Sequence, residues 1–207
     1  MNNILTITVG VLLTIVASLL GLVLIPGWQF EQLPTKELTA ADGTVTEYPV
    51  PLDPQTSGRG REVYRGLGCL YCHSQQVRPE GFGADLDRGW GMRRSIPRDY
   101  LGQNPTLLGT MRTGPDLANI GFRQPDDEWH YLHLYQASLT SPGSVMPPFR
   151  FLFERVDERP ADESTLAYQL PAEEGQPAAW IVPGPDAIAL VAYLKSLQQP
   201  YTVEELQ

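Results

Sequence analysis

The sequence predicts a mainly α-helical protein with one N-terminal membrane-spanning helix and a loop-rich acidic insertion near its C-terminal end. Three observations predict it. Residues 4–25 contain no charged side chain. Nineteen glycines and nineteen prolines among 207 residues favour short helices between long loops over a sheet-based fold. Apolar side chains recur at helical spacing around residues 58–67 and 185–198. The net charge of −9 disfavours nucleic acid as a partner and suits a basic docking face.

The anchor is assigned to residues 1–27. Twenty-two uncharged residues make a helix of about 33 Å, enough to cross a bilayer. A cleavable signal peptide is the competing reading. It would need a basic start, a shorter apolar core and a small-residue cleavage site. Met1-Asn2-Asn3 is not basic, and Pro26-Gly27-Trp28 is no such site. Trp28 suits an interfacial aromatic anchor instead. Clustered Lys or Arg is missing from both flanks, so charge leaves the orientation open. Residues 28–57, with four prolines, read as an extended tether in which a short strand at 45–50 can form.

From residue 58 a helical pattern places Gly60, Tyr64 and Leu67 on one face and runs into Cys69-Leu70-Tyr71-Cys72-His73. This is the C-x-x-C-H pattern of covalent haem c attachment. Positions i, i+3 and i+4 of a helical turn share a face. Cys69 and Cys72 can therefore form thioethers to the two porphyrin vinyl groups while His73 reaches the iron. A redox dithiol would need a βαβ setting, and none is visible downstream. A structural zinc site needs four ligands, and only three are local. Haem c is attached outside the cytoplasmic membrane, so the motif places everything after Trp28 on the periplasmic side.

Residues 74–109 are rich in Gly, Arg and Pro. Arg88, Arg93, Arg94 and Arg98 read either as a solvated loop or as groups facing haem propionates or a partner subunit. In Arg112-Thr113-Gly114-Pro115-Asp116-Leu117 the Gly-Pro pair makes a rigid turn. Behind a haem motif, the Pro115 carbonyl is the candidate acceptor for the Nδ1–H of His73, a bond that orients the ring and raises its basicity. Trp129 to Leu134 looks helical, and its His130 and His133 are minor candidates for the sixth iron ligand. The stronger candidate is Met146, presented from a loop by Pro147 and Pro148. Of the other methionines, Met1 lies at the far membrane face, while Met92 and Met111 read as packing residues.

Residues 151–184 carry seven acidic and two basic side chains. Residues 165–170 and 178–182 can pair there as a hairpin. The stretch reads as a surface embellishment or a docking patch. Helix 185–198 starts at a proline and lines up Ala187, Leu190, Val191, Leu194 and Leu197. Its Tyr193 can cross the helix that begins near Gly60. Residues 58–200 thus form the haem domain, and 201–207 a tail.

The order of anchor, helix, C-x-x-C-H, Gly-Pro turn, methionine loop and terminal helix resembles class I c-type cytochromes. Within that group the chain resembles the membrane-anchored monohaem subunit (subunit II) of cbb3-type cytochrome c oxidases. The matching stretches are residues 68–79, 112–117, Trp129-His130 with His133-Leu134, and 144–147. The resemblance implies one covalent haem c held by Cys69 and Cys72, with His73 and Met146 as axial ligands. Arg112 and Trp129 become candidates for propionate or haem-edge contacts. It also implies a non-catalytic electron-transfer subunit without an active site of its own, in a bacterial inner membrane. Its partners would be a haem-copper catalytic subunit, further haem c subunits and a soluble cytochrome donor. Departures from the family pattern, the acidic stretch and the arginine-rich loop, bear on partner contacts. Rival functions are the small subunit of a nitric oxide reductase, a free-standing tethered cytochrome, and a haem-based sensor, which would need an open iron position.

Overall fold

The computed structural model describes residues 3–39, 43–172 and 178–206. Contacts divide the chain into two units, Met1–Pro49 with Ile96–Asn104, and Val50–Ser95 with Pro105–Gln207.

In the first unit, α1 (Ile4–Leu19) runs into a π-helical turn at Leu20–Leu24 and then into α2 (Ile25–Glu31). Pro26 explains the widened turn. A proline has no N–H to donate and its ring crowds the carbonyl one turn back. The helix responds with a π-bulge, in which the Ile25 N–H reaches Leu20 O. Ile4–Glu31 therefore continues as one 28-residue apolar helix, long enough to cross a membrane. At 1.5 Å per residue it spans about 42 Å. The helix expected to stop at residue 27 runs one turn further, because the π-bulge accommodates Pro26 and lets the helical path continue to Glu31.

The tether expected over 28–57 is also more ordered than a loop. β1 (Lys36–Thr39) pairs antiparallel with β2 (Val45–Tyr48), which forms within the strand expected at 45–50. Tyr48 is buried, and its hydroxyl donates to Asp99 Oδ1 at 2.8 Å. Asp99 belongs to a 3-10 turn, Pro97–Tyr100, and its other oxygen accepts the Ile96 N–H at 2.9 Å.

In the second unit, α3 (Ser57–Gly66) crosses α6 (Pro185–Ser196) at very short range. Glycine makes this crossing possible: a Cβ on Gly60 would lie 1.8 Å from Ala189 O and 2.8 Å from the Tyr193 Cβ. Tyr64 and Tyr193 close over the contact with ring centroids 5.4 Å apart. The apolar face expected on the terminal helix is the buried one, and Ala187, Leu190, Val191, Leu194 and Leu197 all enter the core. The short α4 (Ile120–Arg123) abuts the end of α6, with the Gly121 N–H donating to Leu197 O at 3.0 Å. α5 (Asp127–Tyr135) is capped by Asp126 and contributes Tyr131 and Leu134 to the same core.

A mainly α expectation needs correction across 151–184. β3 (Phe153–Val156), β5 (Trp180–Pro183) and β4 (Tyr168–Gln169) form an antiparallel sheet in the order β3-β5-β4. The expected hairpin is its β4–β5 arm, with Tyr168 opposite Ile181; residues 173–177 lie outside the described residues. The sheet packs on α5 through aromatic rings, Tyr131 stacking on Tyr168 at 4.8 Å and meeting Phe153 edge-on at 6.3 Å. Glu154, Asp157, Glu158, Asp162 and Glu163 are exposed while Leu152, Ala179 and Ile181 are buried, so the stretch is part of the domain. The expected tail is likewise tied in. Leu206 is buried, and the Arg93 guanidinium donates to Tyr201 O.

Candidate functional site

α3 stops because Gly68 turns left-handed, at φ +76°, a conformation that favours glycine. Cys69–Tyr71 then form a single 3-10 turn. The Cys72 and His73 N–H groups both donate back to Cys69 O, at 3.1 and 2.9 Å. Cys69, Cys72 and His73 thus share one tight turn. Cys69 packs partly into the core while Cys72 is exposed, and both are free thiols. Burial pushes the Cys69 thiol up to about 11. A protonated thiol is a poor metal ligand or redox nucleophile. No group of three or more His, Cys, Asp or Glu that could hold a metal ion occurs among the described residues. Neither the zinc nor the dithiol reading gains support from this geometry.

A second segment, residues 109–118, is stitched to the motif. The Gly114 N–H donates to Cys72 O at 2.9 Å, and the Leu117 N–H to Ser74 O at 2.8 Å. The fully buried Asp116 carboxylate accepts from the Ser74 hydroxyl at 2.6 Å and the Gln76 N–H at 2.7 Å with one oxygen. Its other oxygen accepts the Ala118 N–H at 2.9 Å. Within this frame His73 Nδ1 lies 2.7 Å from Pro115 O. A carbonyl can only accept, so Nδ1 carries the proton and the Nε2 lone pair is left for a metal. Burial lowers the His73 pKa, with the Pro115 bond acting against it, so the ring is neutral near pH 7. Gly114 lies directly under the ring: a Cβ there would come within 2.3 Å of His73 Cε1. Gly109, at φ +73°, meets the His73 carbonyl just as closely.

Met146 sits in the loop after Gly143, half-buried against the same core as Cys69 and Leu70. Its N–H donates to Ser144 Oγ at 3.3 Å. Beyond the two prolines, the Phe149 N–H donates to Leu134 O at 2.9 Å and ties the loop to α5. Met92 and Met111 are exposed, so the expectation that they pack inside is corrected.

The two other histidines are engaged elsewhere. His130 is buried, with Nε2 2.8 Å from Gln124 O. His133 Nδ1 is 2.6 Å from Thr140 Oγ1. The His133 ring stacks on Trp129 at 4.5 Å, and Trp129 is edge-on to His130. Burial, with His73 and His130 nearby, lowers the His133 pKa to about 4.

Arg112, a candidate for a propionate contact, is held by protein groups on its inner side. All three of its guanidinium nitrogens have protein partners: Nε donates to Ser74 Oγ at 2.9 Å, Nη1 to Asp85 at 2.6 Å, and Nη2 to Gln76 O. The buried carboxylate of Asp85 draws the group inward. Among the loop arginines, Arg88 lies over the Trp90 ring, Arg93 is buried, and Arg98 donates to Pro34 O.

Asp85 is a residue that sequence reasoning missed. It is fully buried, accepts the Arg78 N–H at 2.8 Å, and pairs with both Arg78 and Arg112. Burial acts to raise its pKa, but the two guanidinium groups overcome this and hold the carboxyl well below the usual carboxylate range. Its only sequence signal is an acid enclosed by arginines in a loop without periodicity. Asp116 and Ser74 are visible only as members of the matched segments.

A haem c fits these residues. Two free thiols share a turn with a neutral imidazole whose Nε2 is unclaimed, and the turn beneath the ring is a glycine cradle that a Cβ would fill.

A family model described as "Cytochrome C oxidase, mono-heme subunit/FixO" matches residues 3–174. The match begins in the apolar helix and includes the motif, the Gly-Pro turn and the methionine loop. No curated protein matches.

Proposed function

We propose that this chain, which belongs to the FixO family of cytochrome c oxidase mono-heme subunits, relays single electrons from a soluble cytochrome or a sister haem subunit to an O2-reducing haem-copper subunit. The observation that carries the reading is the 2.7 Å contact between His73 Nδ1 and Pro115 O, behind two cysteines in one turn. That contact orients the imidazole and raises its basicity, as a ligand needs.

When bound, the haem supplies a one-electron ferric/ferrous couple. Cys69 and Cys72 would hold it by thioethers. His73 Nε2 and the Met146 thioether would ligate its iron. A thioether stabilises ferric iron poorly, so Met146 would set a high potential. With His73 and Met146 both holding the iron, this chain would leave no open position for a substrate, and O2 chemistry would belong to the partner. The apolar helix Ile4–Glu31 would tether the domain on the periplasmic side, raising its effective concentration at the catalytic subunit. The net charge of −9 favours encounter with a basic donor.

Purification of the membrane complex tests this. The chain is expected to co-migrate with a large haem-copper subunit and to carry the mass of one tetrapyrrole on the Cys69–Cys72 segment. A colourless chain with two titratable thiols would refute the haem assignment. A haem-loaded chain that purifies alone would refute the complex.

A further inference from the structure

The arginine-rich loop places one fully buried acid, Asp85, behind the iron-ligand side of the domain. It is the common acceptor of two guanidinium groups. Arg112 Nη1 reaches it at 2.6 Å, and Arg78 Nη2 at 2.8 Å. The contacts beyond Arg112 lead to both ends of the His73–Pro115 hydrogen bond. At one end, Arg112 Nε donates to the hydroxyl of Ser74, the residue after His73, at 2.9 Å. At the other, Asp116, the residue after Pro115, accepts from that hydroxyl at 2.6 Å and lies 3.7 Å from Arg112 Nη2. Ser74 is thus a crosspiece between the segment that carries the imidazole and the segment that carries its acceptor. Arg112 holds the crosspiece, and Asp85 holds Arg112.

We infer that Asp85 is a positioning residue for His73, acting through Arg112, Ser74 and Asp116 to set the potential of the haem. This rests on the reading that His73 ligates haem iron. Two effects of Asp85 have the same sign. By fixing the crosspiece, it keeps the Nδ1–H bond to Pro115 short, which makes the imidazole a better donor and favours ferric iron. By its charge, it offsets Arg78 and Arg112; without it the site gains net positive charge, which favours ferrous iron. Asp85 therefore lowers the potential on both counts. No titration is involved, because its carboxyl is ionised throughout the neutral range.

The test uses the full-length, haem-loaded subunit in its membrane complex. Asp85→Asn keeps the shape of the side chain and removes its charge. Spectroelectrochemistry should show its reduced-to-oxidised ratio raised about tenfold at fixed applied potential, a shift of about 59 mV for one electron. Exchange of the His73 Nδ1 proton should become faster. A merely structural role would lower the unfolding midpoint and leave potential and exchange alone, and that result would overturn the inference. Ser74→Ala, which changes no charge, should raise the potential by a smaller factor. If Asp85→Asn fails to accumulate, an unchanged potential in Ser74→Ala overturns the inference just as well. Wild-type protein without covalent haem would instead defeat the haem reading itself, so the two failures are distinguishable.

Discussion

Gly114→Ala places one methyl group directly under the His73 ring, where the structure has no room for it. The added Cβ would stand 2.3 Å from His73 Cε1, 2.7 Å from Nδ1 and 2.8 Å from Nε2. Ordinary carbon contacts begin near 3.5 Å, so ring and turn must separate by about 1.2 Å. The Nδ1–Pro115 distance is 2.7 Å. Adding most of that displacement carries it past about 3.5 Å, where no hydrogen bond remains. Loss of the bond costs about 1 kcal/mol net, and overpacking a rigid turn costs a further 1–3 kcal/mol or so. The expected destabilisation is therefore about 2–4 kcal/mol, read from urea unfolding of the haem-loaded protein. It should come with a raised potential, because the imidazole loses basicity. Gly66→Ala is the control: its Cβ meets nothing within 4 Å, and the substitution should be neutral or slightly stabilising. If Gly114→Ala matched Gly66→Ala in stability and potential, the claim that this turn cradles the ring would be wrong.

Gly60→Ala should disrupt the α3–α6 crossing, since its Cβ would lie 1.8 Å from a backbone oxygen that cannot swing away. A loss of about 3 kcal/mol or more is expected, and an unfolding midpoint within error of wild type would count against it. Met146→Leu should retain covalent haem but lower its potential and admit exogenous ligands, so an unchanged spectrum and potential would remove Met146 from the ligand set. Asp85 should make stability pH-dependent in acid. Its folded pKa lies below the unfolded value of about 3.9, so its contribution is complete above that pH and is lost as pH falls towards the folded value. At neutral pH, Asp85→Asn should cost about 3 kcal/mol, and the gap from wild type should narrow at pH 3. A gap that stays constant with pH would show that the ion pairs contribute nothing.

Much of the site was legible because its chemistry is local. A turn of five residues brings two cysteines and a histidine together wherever it occurs. The Gly-Pro pair announces a carbonyl free of helical partners, and it is that carbonyl which His73 meets. The terminal helix was equally readable, since one side is apolar along its whole length. Arg112 shows where local reading stops. The protein groups it meets include Asp85, 27 residues earlier in a loop without periodicity, and no local pattern announces that pairing. The sheet over 151–184 was half seen for a similar reason: β3 carries Glu154 and Arg155 at its centre and shows no strand alternation of its own.

From residue order alone follow the long apolar helix, the tight turn at Cys69–His73, the Gly114-Pro115 turn and the buried side of α6. Each depends on side chains within about one helical turn, or on a period repeated along one element. Only tertiary structure decided that Arg112 pairs with Asp85, that the acidic stretch joins the core, and that Asp85 stands behind the turn carrying His73. Those outcomes depend on which distant segments the loops bring together. A buried charge takes its partners from that encounter, not from its neighbours in the chain.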